Sequence, residues 1–125
     1  SNLPEQYDPE AVNAHLAAWP AHEAAAKAAG IEVRYQPISH RFLYEKDLPM
    51  GEGKYFAYWE PFTDDGDALR LAVKLNIAIR RSDKDDASYA ASPYGPPPIS
   101  EIATDPYAAT RRAIVRAAAA LGEKR

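Results

Sequence analysis

Three carboxylates fall within four residues at Asp64, Asp65 and Asp67, and oxygen donors at that density are what calcium or magnesium takes as ligands. The spacing departs from that of a calcium-binding loop, and no glutamate follows at the distance such a loop requires. The same acids suit the N-terminus of a helix, where the backbone carries partial positive charge, so capping is their expected role. Asp83, Asp85 and Asp86 surround Lys84 and read as a solvated turn. His15 and His22 stand too far apart to share one metal without a bend, and with His40 they are expected to be partly buried structural residues. No Gly-x-Ser-x-Gly elbow supports a serine nucleophile, and the scattered glycines form no phosphate-cradling loop. The chain has no cysteine, which excludes thiol chemistry and cysteine-ligated metals. The expectation is a protein without catalytic residues, metal or cofactor.

The arginines offer more. Arg112 and Arg116 share a face of the last predicted helix, Arg111 flanks them, and Arg80 and Arg81 end a predicted strand. If those faces met, the five would form an anion- or partner-binding patch hidden beneath a net charge of −3. Tyr35, Tyr44, Tyr55, Tyr58, Tyr89, Tyr94 and Tyr107 would add surfaces on which bases stack. A solvated arginine face and a tyrosine-rich sheet explain the same residues without any ligand. The Pro93–Pro98 run reads as a rigid exposed loop.

The elements that must position these groups follow from periodicity and caps. Asp8-Pro9 starts a helix carrying Val12, His15, Leu16 and Trp19, and Pro20 bends it before the alanine-rich run that Gly30 closes. Ile31 to Gln36 alternates as a strand, His40 to Glu45 as a second and Tyr55 to Trp59 as a third. Asp64 caps a helix to Leu75, with Asp67 in the position of a capping-box acid. Its expected inward stripe is Leu69, Ala72 and Val73, widened by Ala68, Leu71 and Leu75. Ile77 to Arg81 and Ala87 to Ala91 make a hairpin with Ile77 and Ile79 inward. Asp105-Pro106 caps a last helix that Gly122 ends, with Tyr107, Ile114, Ala118 and Leu121 on one face.

The expected fold class is α+β: an antiparallel sheet of about 4–5 strands with helices packed on one face, in the order α-α-β-β-β-α-β-β-α. A chain of 125 residues supports one domain, taken as residues 3–125, with residues 3–19 a loosely attached helical extension. Ser1 and Asn2 read as the remnant of a cleaved tag. No apolar run nears the roughly 20 residues that span a bilayer, and no signal peptide is visible, so the expected setting is intracellular and away from membranes.

Three blocks carry a likeness: His22 to Ile31, Trp59 to Leu75 and Asp105 to Ala120, the most specific being Asp64-Asp-Gly-Asp-Ala-Leu-Arg-Leu-Ala-Val-Lys-Leu75. In that order they resemble a family of small uncharacterised proteins encoded by tailed phages and proteobacterial prophages. Glu60-Pro61-Phe62 departs from the Asn-Pro-Leu more usual there, as does the segment before Trp19. The resemblance implies an accessory protein made in a bacterial cytoplasm and brings no catalytic residues with it. A non-enzymatic protein that binds a host or phage partner is the leading expectation. Nucleotide or nucleic-acid binding through the arginine-bearing C-terminal helix is the alternative.

Overall fold

The computed structural model describes residues 20–39, 41–82, 84–95 and 97–123. The helix expected from Asp8-Pro9, the bend into Pro20, His15 and His40 lie outside the described residues. Helix α1 occupies 20–29, and Gly30, at φ 70°, ends it in a left-handed turn. Gly30 N–H donates to Lys27 O and Ile31 N–H to Ala26 O, the paired bonds of a Schellman cap. That second bond turns Ile31 back toward the helix. Strand β1 (Arg34–Gln36) accordingly begins three residues later than the alternation predicts.

Strands β2 (Arg41–Asp47) and β3 (Lys54–Tyr58) complete a first antiparallel sheet in the order β1-β2-β3. Tyr35 lies opposite Phe42, and Leu43 opposite Tyr58. Helix α2 (Asp65–Lys74) follows, with Asp64 as N-cap. It ends in a second Schellman pair, Asn76 N–H to Val73 O and Ile77 N–H to Ala72 O, with Asn76 at φ 57° in the place glycine took after α1.

The single sheet of 4–5 strands is corrected to two sheets of three strands each. Strands β4 (Ala78–Ser82), β5 (Ala87–Ala91) and β6 (Ile99–Ile102) form the second sheet in that order, all antiparallel. Helix α3 (Pro106–Glu123) packs across β5 and β6 and against α2. The described order is therefore α-β-β-β-α-β-β-β-α. The sequence pattern does not announce β6, whose four residues follow directly on the proline run. Each sheet turns one face to the helices, and a single core joins Phe42 and Trp59 of the first side to Ala90 of the second through Leu71, Ile114 and Val115.

Three further expectations are revised. Leu69 and Val73 face solvent, at 59% and 72% exposure, while Ala68, Leu71 and Ala72 are buried. The inward stripe of α2 is 68, 71, 72 and 75, the i, i+3, i+4, i+7 set rotated one step from the expected one. Gly122 does not end α3, which continues to Glu123. A Cβ on Gly122 would stand 1.7 Å from the Ala24 carbonyl oxygen, so this glycine lets α3 and α1 cross with backbones in contact. Ile77 is buried as expected, but Ile79 on the edge strand is 41% exposed.

Candidate binding cleft

Chemistry-bearing residues gather at the start of α2. Asp64 caps the helix, accepting from Asp67 N–H at 2.8 Å. The reciprocal half of a capping box is absent from this pair, because Asp64 N–H donates to Glu60 O at 2.7 Å. Asp67 instead reaches past the cap: its Oδ2 accepts from Glu60 N–H at 2.9 Å and its Oδ1 from Arg70 Nη2 at 2.7 Å. The hydrogen bond that Arg70 donates to Asp67 raises the Arg70 pKa above its ordinary value. Asp65 pairs with Arg111. The three acids thus serve a cap, a buried tie and an ion pair; Asp64 and Asp67 both lie beside Arg70 Nη2, and Asp65 turns to Arg111.

The Asp67–Arg70 pair also forms part of the wall of a cleft. A cavity of about 850 Å³ lies between α2, the 30–33 segment and strands β2 and β3. Ile31, Val33, Leu43, Phe56, Trp59 and Leu71 line it together with Tyr44. Arg34, Lys54, Arg70 and Lys74 bring cations, and Glu32, Glu45 and Asp67 bring carboxylates, so the walls carry both signs. Arg34 lies 5.5 Å from the Phe56 ring centre, and on the same outer face Arg41 lies 4.3 Å from that of Tyr58.

The cleft exists because β1 is short. Its last partner on β2 is Leu43, so residues 44–47 of β2 have no neighbour on that edge. In an antiparallel ladder, alternate residues turn their backbone groups to opposite sides. Trp59 N–H donates to Phe42 O, which places Phe42 toward β3, and the alternation then turns Glu45 toward the cleft. The Schellman cap that bends Ile31 away is thus what opens the strand edge. Behind it, His22 is buried, stacked on Phe42 at 4.4 Å and edge-on to Phe62 and Trp59. It is a structural ring of the core.

The arginines singled out in the sequence do not share one face: Arg81 and Arg116 meet at the helix-packed face of the second sheet through Ser88 and Glu101, and Arg80 lies on the other. Arg111 is fixed at the α2–α3 junction, donating to Phe62 O at 2.8 Å as well as to Asp65. Arg116 pairs with Glu101 at 3.2 Å. Arg81 donates to Ser88 Oγ, which meets Thr110 Oγ1 of α3, on the face of the second sheet that packs on the helix. Arg80 lies on the opposite face over Tyr89. Arg112 is exposed. Among the tyrosines, Tyr55 and Tyr58 on β3, Tyr94 and Tyr107 are exposed, and Tyr35, Tyr44 and Tyr89 are half-buried.

Sequence reasoning passed over Arg34, Lys54, Arg70 and Lys74. The usable signal was cross-strand: Arg34 and Arg41 share an alternation phase on neighbouring strands with Phe56 and Tyr58. Comparison with protein-family models, with curated proteins and with solved structures finds no match to this chain.

Proposed function

We propose that this is a phage or prophage accessory protein of the bacterial cytoplasm that binds a host or phage protein without catalysing a reaction. The partner presents an extended segment to the cleft beside β2. The observation that carries this reading is the open strand edge at Glu45, set in a cavity of about 850 Å³ between rings and charged side chains. An extended chain laid there gains main-chain hydrogen bonds from the edge, and its alternate side chains meet the apolar and charged walls. Walls of both signs suit a polypeptide better than a polyphosphate backbone, which calls for cations alone. The phage origin rests on the three sequence blocks quoted above.

Charge reversal at Arg34 and Lys74 tests the reading. Affinity capture from infected or lysogenic bacteria should retain one specific protein on the native chain and on Arg112→Glu, and lose it on Arg34→Glu/Lys74→Glu. Retention that ignores the double reversal overturns it. The alternative, nucleic-acid binding through Arg111, Arg112 and Arg116, has less support because Arg111 and Arg116 already spend donors inside the fold. Salt-sensitive nucleic-acid binding abolished by Arg112→Glu would favour it.

A further inference from the structure

The opposite edge of the first sheet, along β3, also has no strand beside it among the described residues. We propose that β3 pairs antiparallel with β3 of a second copy of this chain, about a two-fold axis at Phe56, joining two first sheets into one six-stranded sheet. The ladder fixes which backbone groups are free. Trp59 N–H donates to Phe42 O and Leu48 N–H to Gly53 O, so Tyr55 and Ala57 turn their backbone groups toward β2. Lys54, Phe56 and Tyr58 therefore turn theirs outward, and these are the groups that a new strand would meet.

A two-fold register centred on Phe56 matches outward residues with outward residues. Phe56 faces the partner's Phe56, and Lys54 faces the partner's Tyr58, so each of these rungs exchanges two N–H···O bonds. The side chains agree with the backbone. Lys54 is the one charge on the strand, and this register sets it against an aromatic ring instead of a second lysine. Within the chain, the same Tyr58 ring already carries a cation, Arg41, at 4.3 Å. On the other face Tyr55 meets the partner's Ala57, large against small. The exposed rings make the edge apolar: Tyr55, Phe56 and Tyr58 are 42%, 51% and 46% exposed.

One free edge of the second sheet, along β4, is built the other way. β4 carries Arg80 and Arg81 in succession, so self-pairing centred on either sets a guanidinium against its own copy. Charged edges of that kind block strand addition, and β3 carries a single charge, at its first residue.

Sedimentation of the full chain over a wide concentration range should show a monomer–dimer equilibrium. Phe56→Lys places like charges on the axis and should return the monomer with the thermal midpoint little changed. Because the chain has no cysteine, Phe56→Cys gives a second readout that does not depend on that variant folding well. Hydrogen-bonded antiparallel partners stand about 5.5 Å apart at Cα, within disulfide reach. Mild oxidation should therefore cross-link Phe56→Cys selectively over Glu45→Cys, which lies opposite Phe56 on β2 and one strand inward. Selective cross-linking supports the pairing even where sedimentation finds it weak. Equal cross-linking of the two variants, or a dimer that survives Phe56→Lys, overturns it.

Discussion

The two sheets have the same number of strands and the same antiparallel pairing, yet they meet the helices by opposite means. The second sheet brings Ser88 and Ala90, both buried, under α3, whose own buried positions are mostly alanine. Small side chains on both surfaces let backbone approach backbone. The first sheet reaches the helices with Phe42 and Trp59, propped by His22, and leaves Tyr55, Phe56 and Tyr58 in water. The cleft lies beside them at the open edge of β2, lined from both faces of the sheet. Side-chain size thus separates a framework sheet from a surface that can bind.

The most severe way to break the contrast is at the helix crossing on which both sheets depend. Gly122→Ala forces a methyl into the Ala24 carbonyl, and denaturant unfolding should show a loss of about 3 kcal/mol. Asp67→Ala acts on the side of the first sheet, because it strands the Glu60 N–H and removes the buried partner of Arg70. A cost of about 2 kcal/mol is expected, with faster hydrogen exchange in the segment joining β3 to α2. Ser88→Ala tests the second sheet. Arg81 and Thr110 lose a shared hydroxyl, and about 1 kcal/mol should disappear from the midpoint stability. The smallest effect is expected at Val73→Lys, within about 0.5 kcal/mol of the native chain, since that side chain is 72% exposed. A large loss there would restore the inward stripe expected from the sequence.

Local signals were legible where a cause lies within a few residues. Asp64 and Asp105 cap as their positions predict, Asp105 Oδ1 accepting from Tyr107 N–H at 2.9 Å, and Gly30 ends α1. The hairpins at β2–β3 and β4–β5 follow from alternation broken by turns. What escaped depends on distant partners. One alternating pattern serves equally for one sheet or two, because strand spacing does not say which edge a strand joins. Gly122 reads as a helix end until Ala24 is brought beside it. The same holds for the site. Arg111 resembles a free surface cation until Phe62 and Asp65 arrive, while the cleft cations belong to segments that seemed to have nothing in common.

The crossing at Gly122 also bears on when the chain can finish folding. Residues 24 and 122 are separated by both sheets along the chain, so the seat of α1 on α3 forms only after the strands between them have been made. Closing so long a loop is slow compared with making a hairpin. The α1–α3 crossing is therefore a late event of folding, made after the hairpins of both sheets, whereas the contact of His22 in α1 with Phe42 and Trp59 needs no part of α3.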